Sequence, residues 1–84
     1  MSNIEKIRTQ VEFLAAARGR SASGLDEDAI LPETGLLDSA AIIELICWIE
    51  MEFSLDLPEE EITLKNFGTI KRIAAYVNRN GSDR

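Results

Sequence analysis

The chain has 84 residues, with 15 acidic side chains against nine basic ones, no histidine, a formal net charge of −6 and an isoelectric point near 4.5. A domain of this size buries only about 60% of its unfolded surface, which leaves room for one core and little for an enclosed active-site cleft. The acidic balance excludes the basic footprint that nucleic-acid recognition requires, and a single cysteine with no histidine excludes an internal disulfide and a Cys/His zinc site. At 45% hydrophobic and 29% charged residues the composition is that of a folding chain. It is read as one domain over residues 1–84, with an ordered core of about 3–78 and short flexible tails, and as a free-standing monomer. Neither a leader-like apolar run nor a membrane-length stretch is visible, so the expected location is the cytoplasm, with no membrane partner.

In chain order, Ser2 or Asn3 caps a first amphipathic helix in which Ile4, Ile7, Val11 and Leu14 recur at spacings of three and four. Phe13, Ala15, Ala16 and Ala17 thicken that stripe, and Gly19 stops it. Residues 19–37 carry three glycines and a proline without sustained periodicity. They form a long loop, with Leu25, Ile30, Leu31, Leu36 and Leu37 as its apolar pins, because connections of this length are uncommon unless anchored or functional.

A second helix of about four turns opens at Asp38 and runs to Phe53. A short helix is expected from Pro58-Glu59-Glu60-Glu61-Ile62, with proline in its first turn and acids near its positive end. The last helix starts after Thr69 as N-cap and carries Ile70, Ile73, Ala74 and Val77 to a stop at Asn80-Gly81. The expected fold is therefore all-α, a small four-helix bundle of three main helices and one short one.

Charge is unevenly distributed. Residues 25–64 contain twelve acids and no base, whereas both ends are net basic. A solvated surface accounts for such a run; so does a docking surface for basic partners.

The second helix has two apolar faces. At 100° per residue Ile42, Leu45, Ile46, Ile49 and Phe53 form a core-facing stripe, while Ala40, Ile43, Cys47 and Met51 lie on the opposite side with Trp48 at the edge. Either neighbouring helices surround this element, or its second face, rimmed by Glu44, Glu50 and Glu52, receives partner side chains. Cys47 has no basic neighbour in sequence to activate it and is read as a packing or partner contact, and Trp48 as an amphipathic packing residue.

At the start of this helix two strong N-cap candidates, Asp38 and Ser39, sit side by side, and only one can cap. If Asp38 does, the Ser39 hydroxyl is released. It cannot activate itself by the usual route, because the chain has neither histidine nor Gly-x-Ser-x-Gly. Lys6, Lys65 and Lys71 lie in other elements. No catalytic residue and no metal ligand is assigned.

The segment Gly35-Leu36-Leu37-Asp38-Ser39, its apolar helix, and the run Ile49-Glu50-Met51-Glu52-Phe53-Ser54-Leu55-Asp56-Leu57-Pro58 resemble the acyl or peptidyl carrier protein family. The distal Ile70-x-x-Ile73-Ala74-x-x-Val77 helix fits as well, so the resemblance covers roughly residues 25–77. It implies that Ser39, in the Asp38-Ser39 pair, bears 4′-phosphopantetheine transferred from coenzyme A by a phosphopantetheinyl transferase. The arm's thiol then carries acyl or aminoacyl groups as thioesters. It also implies that the second helix is the recognition helix, with Ala40, Ile43 and Cys47 as apolar contacts and Glu44 and Glu50 as acidic ones; Met51, on the same face, is expected to dock with them.

The sequence departs from the family at Ala40, where Leu or Met usually follows the serine, which removes one apolar contact. The implied role is a non-catalytic carrier, loaded by an acyl- or aminoacyl-activating ligase and unloaded by a downstream transferase or synthase. The Gly-Leu-Leu-Asp-Ser form resembles natural-product and aminoacyl carriers more than the fatty-acid carrier, so an amino acid or small acyl unit is the expected cargo. A fatty-acid or polyketide acyl carrier is the alternative, and an unmodified helical adaptor for a basic partner is the competing class.

Overall fold

The computed structural model describes residues 2–80. Its helices are α1 (Asn3–Ala16), α2 (Ser39–Glu52), α3 (Leu64–Phe67) and α4 (Ile70–Asn80), with single 3-10 turns at Leu31–Glu33 and Glu59–Glu61. No strand occurs among the described residues, and no helix among them is long and apolar enough to cross a membrane. The fold is the expected all-α bundle. The stop proposed at Gly81 and the tails at Met1 and beyond Asn80 lie outside the described residues.

Each main helix begins where its cap places it. The Ser2 hydroxyl accepts the Glu5 amide at 3.1 Å, and the Thr69 hydroxyl accepts the Arg72 amide at 2.9 Å. Ile7, Val11, Leu14 and Ala15 of α1 meet Ile70, Ile73, Ala74 and Val77 of α4 in one core, closed by Ala41, Leu45 and Ile49 of α2. Phe13, Ala16 and Ala17, expected in the α1 stripe, are exposed. They fall on turns beyond the arc that α2 and α4 cover.

The expected loop occupies residues 17–38. It is pinned by buried Leu31 and Leu37, by Ala22, which sequence reasoning did not single out, and by Leu25 and Leu36 at the core margin. Polar ties add to the apolar ones: Arg8 donates to the Leu25 carbonyl at 2.6 Å, the Leu31 amide donates to the Gly68 carbonyl at 2.7 Å, and the Lys71 amide donates to the Glu27 carbonyl at 3.1 Å. Gly35, with φ +75°, turns the chain toward α2 in the left-handed region that glycine adopts without strain.

The short helix is displaced from its expected place. Pro58 stands before the 3-10 turn at Glu59–Glu61, and the four-residue α3 forms only after Thr63, whose hydroxyl accepts the Asn66 amide at 3.3 Å. Phe67 at its end packs into the core against Tyr76, ring centroids 4.8 Å apart. Gly68 is required at the junction, since a Cβ there would lie 2.5 Å from the Leu64 carbonyl oxygen.

Candidate functional site

The start of α2 is built by Asp38. Its backbone is extended, its carboxylate Oδ1 accepts the Ala41 amide at 2.8 Å, and its carbonyl accepts the Ile42 amide at 2.9 Å. Asp38 is thus the N-cap, and Ser39 is the first residue of the helix, exposed to solvent. The amides of Ser39 and Ala40 belong to the first turn, where N–H groups have no intrahelical acceptor and the helix dipole favours an anion.

A cation stands beside this start. Arg18, in the turn after α1, donates from Nε to Asp38 Oδ1 and from Nη2 to Glu44 Oε2, both at 3.2 Å, and from Nη1 to the Leu14 carbonyl at 3.3 Å. The Ala41 hydrogen bond, followed by the charges of Arg18 and Arg20, holds the Asp38 carboxyl below its ordinary value against some desolvation. A depressed folded-state value means that this carboxylate contributes stability above its unfolded pKa of about 4 and loses it as pH falls through the folded value. The melting temperature should therefore fall as pH drops below about 4. In Asp38→Asn, which keeps an acceptor oxygen for the cap, that fall should be shallower; an identical pH profile would remove Asp38 as a contributor.

Both faces of α2 are as the periodicity places them, with one shift. Ala41, Leu45, Ile49 and Phe53 are buried, whereas Ile42 and Ile46 are half-buried, so the inward stripe is rotated toward Ala41. Trp48 is half-buried at the edge, its ring T-shaped against Phe53 with centroids 5.6 Å apart. The opposite face is open: Ala40 and Cys47 are exposed, Ile43 is 62% exposed and Met51 83%. Among the described residues, neighbouring helices therefore do not surround α2, and an apolar strip runs down it from Ser39.

The acids of the rim differ from one another. Glu44 is exposed but paired with Arg18, and Glu52 pairs with Lys6 at 3.7 Å. Glu50, expected to be an acidic contact, is half-buried and accepts the Leu57 amide at 3.0 Å, so it fastens the chain leaving α2. Reversal of Glu50 to Lys orphans that amide and should cost about 1–3 kcal/mol, read as a lower denaturation midpoint. A midpoint equal to that of the wild type would show the bond to be dispensable. Arg18 escaped sequence reasoning altogether, because nothing local links it to carboxylates 20 and 26 positions away.

The family described as "Phosphopantetheine attachment site" matches residues 11–77. The acyl carrier protein of Rickettsia bellii (strain RML369-C) is 32% identical over 79 residues, covering 93% of this chain and 86% of its own. The D-alanyl carrier protein of Latilactobacillus sakei subsp. sakei (strain 23K) is 34% identical over 67 residues, 80% of this chain and 86% of its own. The probable acyl carrier protein PigG of Serratia sp. (strain ATCC 39006) is 36% identical over 56 residues, 67% of this chain and 64% of its own. No solved structure matches. The chain belongs to the phosphopantetheine-binding carrier protein family: it is a carrier protein, whose cofactor is covalently attached 4′-phosphopantetheine.

Proposed function

We propose that Ser39 is the attachment point and that the chain shuttles a thioester-bound aminoacyl or small acyl group between partner enzymes, being acted upon rather than catalysing. The observation that carries this reading is the division of labour at the head of α2: Asp38 caps the helix and leaves the Ser39 hydroxyl exposed and free for modification. In the attachment step the Ser39 oxygen forms a bond to the phosphorus bearing pantetheine, the nucleotide part of coenzyme A leaves, and the serine proton passes to the transferase.

The residues present fit the resulting phosphodiester. First-turn amides and the positive helix end suit a monoanion, and Arg18 offsets the adjacent Asp38 and Glu44 carboxylates. When attached, the arm supplies a thiol that holds cargo as a thioester. The protein holds Ser39 at an exposed helix start beside the apolar strip Ala40, Ile43, Cys47 and Met51. Transferase, activating ligase and downstream enzyme are read as meeting the chain there, with Glu44 as the acidic contact and Glu50 acting through the loop it fastens.

The Gly35-Leu36-Leu37-Asp38-Ser39 form and the similarity to a D-alanyl carrier protein favour an aminoacyl or small acyl cargo. Intact-mass analysis of the chain isolated from its native cell tests this: the expected species is the protein plus one arm plus an aminoacyl or short acyl increment. A long-chain acyl increment would assign the chain to fatty-acid or polyketide supply, and a chain that never carries the arm would be an adaptor.

A further inference from the structure

We propose that Arg18 is a specificity-determining residue of the docking surface, an internal competitor for the two carboxylates, Asp38 and Glu44, that flank Ser39. This rests on the carrier reading of Ser39. Each guanidinium nitrogen of Arg18 is engaged: Nε with Asp38, Nη2 with Glu44, and Nη1 with the Leu14 carbonyl that closes α1. The Arg18 side chain is only 20% exposed, whereas those of Asp38 and Glu44 remain 55% and 57% exposed. A partner can therefore reach both acids from solvent while the cation that neutralises them sits behind.

The sequence from 25 to 64 supplies no base of its own, so the compensating charge is brought in from the end of α1. A guanidinium presents its donors in a fixed planar fork, so Arg18 holds the two carboxylates in set positions, whereas an ammonium is a rotatable point charge. A docking enzyme must then present a basic group able to share or take over these carboxylates, and a neutral partner gains nothing from them. Arg18 thereby sets how much of the acidic face is available beside the attachment serine.

The test is the KM and kcat of the apo chain in coenzyme A-dependent modification by a phosphopantetheinyl transferase with a basic docking groove, with direct binding of the apo chain to that transferase at low and high salt. R18Q should lower KM about two- to fivefold, the scale of an exposed ion pair, and steepen the salt dependence. The gain should shrink in the R18Q/E44Q double variant, and R20Q, which removes an exposed charge not bonded to either carboxylate, should shift KM less. A merely structural role for Arg18 predicts the opposite sign, a raised KM. A folded R18Q with KM at or above wild type, or an undiminished gain on the E44Q background, overturns the proposal. Should R18Q unfold, R18M decides by the same sign, since it also removes the charge while keeping a long side chain. A wild-type chain that is never modified overturns the carrier reading and this inference together, whereas a modified wild type with unresponsive variants overturns this inference alone.

Discussion

Ser39→Ala is expected to abolish modification outright while leaving the fold untouched. Incubated with coenzyme A, magnesium and a broad-specificity phosphopantetheinyl transferase, the wild-type chain should gain the mass of one phosphopantetheinyl group, and Ser39→Ala should gain nothing. The substitution removes the hydroxyl but no cap, because Asp38 accepts the Ala41 amide, and Ser39 is exposed. Its folding free energy should stay within the range of ordinary surface changes, about 0.5 kcal/mol. A Ser39→Ala variant that still takes up the arm would move the attachment to another hydroxyl. One that is unmodified because it is unfolded would assign Ser39 a structural task that the geometry denies it.

The second large effect separates the two faces of α2. Ile49 is fully buried in the core, and Met51, two positions on, is 83% exposed. Ile49→Ala should cost about 2–5 kcal/mol through lost burial and a residual cavity, a large share of the stability of a domain this small. At about 4–8 °C per kcal/mol for chains of this length, its melting temperature should fall by upwards of about 10 °C. Met51→Ala should leave the melt nearly unchanged and weaken binding to a transferase or ligase. Comparable destabilisation by both would mean that the outer strip is structural, and intact partner binding in Met51→Ala would remove that residue from the docking face.

Much of this arrangement was legible in the residues because it is periodic or local. The spacings of three and four in α1, α2 and α4, the single cap available to two candidates at Asp38-Ser39, and the outward strip of Ile43, Cys47 and Met51 need only helical geometry. The helix over Leu64–Phe67 was not legible in this way. One turn has no period, and its one local cue, Thr63 as cap, is drowned by the stronger proline-and-acid pattern just before it. Phe13 lies outside the core because the α1 stripe is wider in sequence than the arc its neighbours cover. The acceptor role of Glu50 depends on how the chain folds back to Leu57, and the partners of Arg18 come from a different element, so neither shows in the local sequence. Tertiary contacts made by long polar side chains leave no local pattern.

The acidic stretch thus resolves into distinct tasks. Asp38 caps α2, Glu50 fastens a loop, Glu44 and Asp38 share Arg18, and the remainder is largely solvated surface. The same stretch shapes the decisive measurement. With no basic residue between Arg20 and Lys65, trypsin releases residues 21–65 as one peptide containing Ser21, Ser23, Ser39 and Ser54. Tandem fragmentation of that peptide from the enzymatically modified chain should place a single phosphopantetheinyl group on Ser39, with fragments ending before it unshifted. A group located on Ser21, Ser23 or Ser54, or a peptide without any group after exposure to several transferases, would contradict attachment at the head of α2.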